Sequence, residues 1–298
     1  FYLVDPVPLE DKSGILVIDD SYNDNFAPDD TTDTIYEYML QDFSGTVDVQ
    51  DWYTVPNDNQ LLHFNRSKFA ATDLINYQMI IFHSDNPGIY THVYLEYDPI
   101  YLYLRGGGNF ILSGGAGLEI AQMESVTNYY RFFDEYFGIP LPIDGDESTQ
   151  GNINRVSWDG TNGDFFHLQF FQAGIPLGGN GYPEMNLQVP SFNPLIATIG
   201  QGGLGPVSWL ELPDEDPNRE ILYTFGCRDL GPDNWDDESD GDALPSLEQF
   251  EFFNGKPVGI KYTTPTTCCF TITFPLAYME IEETRAFMNQ VINELNIQ

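Results

Sequence analysis

The chain has 298 residues, 11 Lys plus Arg against 46 Asp plus Glu, and a formal charge of −35. So few cations cannot build the basic face that phosphate neutralisation requires, which argues against nucleic acid and anionic membranes as partners. Charged residues make up only 19%, against a usual value of roughly 25%, while 42% are hydrophobic, so this is a core-forming chain with a one-signed surface rather than an acidic disordered one.

The chain begins at Phe1, with neither an initiator Met nor a charged-then-apolar leader. Phe1 to Ser13 reads as the tail of an upstream segment, and residues 14–298 as one domain. Gly14 to Asp19 (GILVID) is a continuous apolar run suited to a strand buried on both faces of a parallel sheet. The loop from Asp20 to Asp33 is dense in aspartate. Ile35, Tyr36, Met39 and Leu40 then recur at helical spacing behind Asp29, Asp30 and Asp33, whose carboxylates complement a helix dipole. Thr46 to Val49 is a second strand, Phe69 to Ile75 a helix, and Gln78 to His83 (QMIIFH) a third strand. A helix is expected over Ile89 to Leu104, broken or kinked at Pro99. Asn109 to Leu112 is a fourth strand between glycine-rich turns. None of the apolar runs approaches the roughly 20 residues that span a bilayer.

Strands alternating with helices predict an α/β fold, a three-layer sandwich around a mainly parallel sheet. Between about 140 and 217 Gly, Pro and Asn replace periodicity, so a β-rich or irregular insertion is expected there. Ile221 to Phe225 and a hairpin of Val258 to Thr263 with Cys268 to Phe274 follow. A closing helix, Ile281 to Leu295, carries an apolar stripe of Phe287, Met288, Val291, Ile292 and Leu295. Cys227, Cys268 and Cys269 do not have zinc-site spacing. They allow a disulfide from Cys227 to one of the pair if the strands are neighbours, or three buried thiols.

GILVIDD, QMIIFHSDN, YLRGGGNFILSGGAGLEIA and the terminal FPLAYMEIEETRAFMNQVINEL resemble the class I glutamine amidotransferase-like, flavodoxin-type domains, especially those attached to secreted bacterial surface proteins. In active members the turn after the fourth strand carries a nucleophilic cysteine at a helix N-terminus, which lowers its thiol pKa. Here that turn reads Ser113-Gly114-Gly115-Ala116-Gly117, so the nucleophile position is Gly115, and no histidine follows Phe274-Pro275-Leu276. The resemblance therefore implies a member lacking the catalytic Cys and His.

Ligands of open α/β sheets bind outside the carboxyl ends of the strands. That rule collects Asp19, Asp20, His83, Ser84, Asp85, Ser113 and Glu119 around one crevice. Ser113 as nucleophile and His83 as base would make a hydrolase of it; the plainer alternative is turn and cap residues. Asp236, Glu238 and Asp240 take the first, third and fifth places of a calcium loop, but the twelfth is Leu247, which leaves an irregular calcium site or a solvated acidic face. The glycines around the fourth strand lack the lysine of a phosphate loop, and Asn65-Arg66-Ser67 is a single glycosylation sequon. Trp158, Phe165, Phe166, Phe170, Phe171, Tyr182 and Trp209 either line a protein or carbohydrate interface or fill a second core. The leading expectation is a non-enzymatic extracellular structural or binding module acting by assembly or adhesion at a cell surface, with no cofactor except calcium. The alternative is a secreted hydrolase of a sugar or peptide.

Overall fold

The computed structural model describes residues 7–21, 29–54, 67–85, 91–114, 132–139, 153–155, 171–188, 207–212, 215–227 and 247–298. The first apolar runs form strands β1 (Ile15–Asp19), β2 (Val47–Asp51), β3 (Met79–Ser84) and β4 (Asn109–Gly114). β1, β3 and β4 are buried along their whole length, which is why they read as unbroken apolar runs instead of alternating ones. Helix α1 (Asp29–Met39) follows β1, and α2 (Ala71–Leu74) and α3 (Tyr97–Arg105) precede β3 and β4. Pro99 does not break a helix. A 3-10 turn (Val93–Glu96) comes first, and α3 starts at Tyr97, placing Pro99 in the first turn, where a missing N–H costs little. Further along lie α4 (Phe132–Phe137), β5 (Ile153–Arg155), β6 (Phe171–Pro176), β7 (Met185–Asn186), β8 (Ser208–Leu210), β9 (Arg219–Cys227), α5 (Leu247–Phe253), β10 (Pro257–Thr263), β11 (Cys268–Ile272) and α6 (Ile281–Leu295).

Nine strands form one sheet in the order β2-β1-β3-β4-β11-β10-β9-β6-β7. Pairings from β2 across to β11 are parallel. Those from β11 across to β7 are all antiparallel. This corrects the expected fold class: the sheet is mixed and the helices are few, so the molecule is not a mainly parallel, flavodoxin-like three-layer sandwich. The cause is local. The Thr264 to Thr267 turn, closed by the Thr264 N–H donating to the Thr267 carbonyl, sends β10 and β11 in opposite directions, and β9 and β6 then add as antiparallel neighbours. Of the stretch read as an insertion, β6 and β7 extend this main sheet, and β5 pairs with β8 in a separate two-stranded one.

Each face of the sheet buries its own apolar cluster. On one face Val17, Ile81, Ile111 and Phe270 pack under Tyr36 and Met39 of α1 and Phe287, Met288 and Val291 of α6. On the other, Leu16, Ile18, Phe82 and Leu112 pack under Ile100, Tyr103 and Leu104 of α3 and Phe133 and Phe137 of α4. Each such fully buried side chain contributes about 1.5–3 kcal/mol. Gly108 is required where it stands, because a Cβ there would lie 2.0 Å from the Tyr103 ring. Asn296 ends α6 in the left-handed conformation.

The cysteines are free thiols. Cys269 and Arg219 both pair with Tyr262, so the vicinal cysteines sit beside the first residue of β9, whereas Cys227 ends that strand. Eight residues of strand put them about 27 Å apart, beyond the reach of a disulfide. Among the described residues no helix is long and apolar enough to cross a membrane.

Candidate functional site

Strand order reverses between β2 and β3 on either side of β1, so the carboxyl ends of β1 and β3 flank the point where open sheets bind ligands. Asp19, His83 and Ser113 are in register there, side by side on β1, β3 and β4. Side-chain alternation sends Asp19 and the next residue, Asp20, to opposite faces of the sheet. Each of these consecutive aspartates meets a histidine, and each histidine is stacked on an aromatic ring.

On the α1 face the pair is Asp19 and His83. The His83 Nδ1 lies 3.5 Å from Asp19 Oδ1, 3.5 Å from Asp85 Oδ2 and 3.4 Å from Ser21 Oγ. Tyr36 of α1 covers the imidazole with ring centroids 3.8 Å apart and planes 13° from parallel. Asp19, His83, Asp85 and Ser113 are all 0% exposed. Burial opposes a charge on the ring, but Asp19, Asp85 and Asp33 outweigh it, and the His83 pKa is raised. Burial and the neighbouring Asp19, which shares a hydrogen bond with it, push the Asp33 carboxyl up to about 6. Burial and the Asp85 charge push the Tyr36 phenol upward as well. Asp19 Oδ2, Asp85 Oδ1, His83 Nε2, Ser84 Oγ and Tyr36 Oη are buried without hydrogen-bond partners. Ser113 Oγ donates to the Phe274 carbonyl at 3.5 Å, and His83 Nδ1 meets Asp19, Asp85 and Ser21, so Ser113 is not paired with His83.

On the opposite face the pair is Asp20 and His92. Asp20 is fully buried, and its carboxylate accepts from His92 Nδ1 at 2.7 Å and from the His92 backbone N–H at 2.5 Å. Burial raises the Asp20 pKa against the opposing pull of His92. An ionised Asp20 fixes Nδ1 as the donor and leaves Nε2 as an acceptor. Among the described residues no hydrogen bond reaches that Nε2, and the His92 side chain is 23% exposed. The Trp52 indole stacks on His92 at 4.1 Å and 12°, with the Lys68 ammonium 3.8 Å from its centroid. Buried Glu96 accepts from Trp52 Nε1 and Ser67 Oγ, both at 2.8 Å, and from the Lys68 backbone N–H.

The residues expected around one crevice are thus divided by the sheet: Asp19, His83, Asp85 and Ser113 share one side, and Asp20 serves the other. Trp209 lies on β8 of the separate two-stranded sheet, half-buried and edge-on to Phe252 at 6.3 Å, with the Lys256 ammonium about 5 Å from both rings. Trp158, Gly115, Glu119 and the calcium candidates Asp236, Glu238 and Asp240 lie outside the described residues. Among the described residues no group of three or more His, Cys, Asp or Glu is arranged to hold a metal ion. Sequence reasoning missed His92, Trp52 and Glu96. His92 sits inside a segment that reads as one long helix, and Tyr36 reads as an ordinary member of a core stripe.

No family model matches the chain, and no curated protein matches it. Solved structures are similar to it, among them two β-galactosidases. One is a polyextremophilic β-galactosidase from the Antarctic haloarchaeon Halorubrum lacusprofundi, with 13% identity and a TM-score of 0.42 over 96% of this chain and 31% of that one. The other is a cold-adapted β-galactosidase from Rahnella sp. R3, with 12% identity and a TM-score of 0.42 over 96% of this chain and 32% of that one. The chain spans about a third of the length of the structures it matches.

Proposed function

We propose that this chain is a non-enzymatic extracellular module that acts by assembly with protein partners or with itself, related to the amidotransferase-like domains whose nucleophile position is here Gly115. The observation that carries the reading is the surface group of Trp209, Phe252 and Lys256. Phe252 is 44% exposed although it belongs to a helix whose next residue, Phe253, is fully buried. Trp209 is half-buried and positioned by a strand, so one exposed and one partly exposed aromatic lie with a cation on fixed elements, the composition favoured at the centres of protein interfaces. The sealed state of His83 and Ser113 supports the same reading. Sedimentation of the purified chain tests it: self-associated species are expected, and Trp209→Ala and Phe252→Ala should dissociate them while leaving the circular dichroism unchanged. A single-chain mass at every concentration, or association indifferent to both variants, overturns the self-assembly reading.

One observation favours a second reading, a hydrolase of a sugar or peptide. Asp20 and His92 have the geometry of an oriented general base, with a buried carboxylate holding one nitrogen of a partly exposed ring. Turnover of a nitrophenyl glycoside or a peptide substrate that His92→Ala abolishes and Ser113→Ala spares would establish it in place of the module.

A further inference from the structure

Helix α1 is attached to the molecule in two chemically different ways. Behind its C-terminus, Asp42 receives Arg285 Nε at 2.7 Å and Asn289 Nδ2 at 2.9 Å from α6, contacts that depend on groups charged or neutral throughout the ordinary pH range. Within the helix, by contrast, α1 rests on the buried cluster through Tyr36, stacked on His83, and Asp33, beside Asp19. We propose that Asp19, His83 and Asp85 form a proton-dependent latch that holds the Asp33 to Tyr36 turn of α1 over the carboxyl ends of β1, β3 and β4.

The groups that face His83 come from every described element around it. Asp19 and Ser21 arrive from β1, Asp85 from the end of β3, Ser113 from β4, and Asp33 and Tyr36 from α1, while Asp51 at the end of β2 acts on Asp33. With a proton on both ring nitrogens, His83 is one cation between two buried carboxylates, and Tyr36 lies flat on it. Loss of that proton leaves Asp19 and Asp85 as uncompensated charges at 0% exposure, beside carboxylate oxygens that already have no hydrogen-bond partner. Buried charge without a counterion is costly. The least expensive relief is water, and water reaches the cluster when the Asp33 to Tyr36 turn of α1 lifts from the sheet while the Asp42 contacts hold. The sign is the same for both titrating neighbours. The His83 pKa is raised, so its stabilisation is complete below the ordinary 6.5 and is lost as pH rises through the folded value. Asp33, raised from 3.8 to about 6, adds a further negative charge to the cluster over the lower part of the same interval. Lifting would expose Asp19, His83 and Ser113 at the point of strand-order reversal, so the latch controls access to that crevice.

Amide hydrogen exchange tests this, with rates corrected for the intrinsic pH dependence of exchange. Between pH 5.5 and 8.5 the corrected protection of residues 33–36 should fall about tenfold or more, while that of β3 and β4 stays constant. His83→Gln combined with Asp33→Asn, in which neither group can exchange a proton, should show equal protection at both pH values. Protection of 33–36 that does not change with pH in the natural chain overturns the latch, as does a step of unchanged size above pH 7 in His83→Gln. Should that variant fail to fold, Asp85→Asn serves instead: removing one carboxylate must move the step to lower pH, and an unmoved midpoint overturns the proposal.

Discussion

Asp33→Asn isolates the cost of one carboxylate held close to another. In the folded chain the Asp33 carboxyl is raised from 3.8 to about 6 by burial and by Asp19. A group whose folded pKa lies above its unfolded value contributes stability that is present below 3.8 and lost as pH rises through about 6. A difference of that size is worth about 3 kcal/mol at full strength. Asp33 is half-exposed, however, and solvent screening leaves about 1 kcal/mol. Asparagine cannot ionise, and its amide can still donate to Asp19, so the variant should be more stable than the natural chain by about 1 kcal/mol at pH 8 and indistinguishable from it at pH 4. Asn and Asp have similar helix propensities, and the lost interaction with the helix dipole acts in the opposite direction by a few tenths of a kcal/mol, roughly. Urea unfolding at the two pH values and constant ionic strength measures the difference, with Glu37→Gln, an exposed acid on the same helix, as the control. A gain equal at both pH values would assign the effect to the helix and not to the charge. Lower stability of the variant at pH 8 would refute the reasoning outright, since it would mean that ionised Asp33 stabilises the fold.

Two further outcomes follow from packing and from composition. Gly108→Ala places a methyl against the Tyr103 ring, which is fully buried and tethered by its hydroxyl to the Asn109 carbonyl at 2.9 Å; a loss of about 1–3 kcal/mol is expected in urea unfolding, and an unchanged midpoint would show that the ring yields freely. Millimolar calcium should raise the melting temperature beyond the effect of sodium chloride at equal ionic strength, EDTA should reverse it, and Asp236→Asn with Asp240→Asn should abolish it; equal melting curves in the two salts would reduce those acids to a solvated face.

The sequence reading was good wherever a local pattern has a single physical solution. The runs at Ile15–Asp19, Met79–Ser84 and Asn109–Gly114 could only be strands buried on both faces, and α6 appears with the expected Phe287, Met288, Val291 and Ile292 inward. The fold class failed because parallel and antiparallel pairing differ in the connections between strands and not in the strands themselves. The hairpin of VGIKYT with the Cys268 strand was legible and is antiparallel, but nothing in ILYTF declares its direction, and β6 carries too little periodicity to announce that it joins the same sheet. The site was legible in part for a similar reason. Strand ends are visible in the sequence, so Asp19, Asp20, His83 and Ser113 could be named, whereas His92, which reaches Asp20 from 72 residues away, falls in a segment whose composition reads as helix.

The two aspartate–histidine pairs show why residue type does not assign a role here. Asp19 with His83 and Asp20 with His92 use the same chemistry, including an aromatic ring stacked within 13° of the imidazole plane. They differ in exposure and in stoichiometry. His83 is fully buried between two carboxylates, so what it can exchange with its surroundings is a proton, and the consequence must be mechanical. His92 has one carboxylate partner and a partly exposed ring, so its second nitrogen can meet a molecule from outside. One residue of offset on β1 separates these two situations, because successive side chains leave a strand on opposite faces. A change at Asp19 should therefore register in the motion of α1, and a change at Asp20 in whatever binds at His92, although the two positions are adjacent in the chain. A substitution at either one that altered both readouts equally would mean that the sheet transmits strain between its faces and that the two sites act as one.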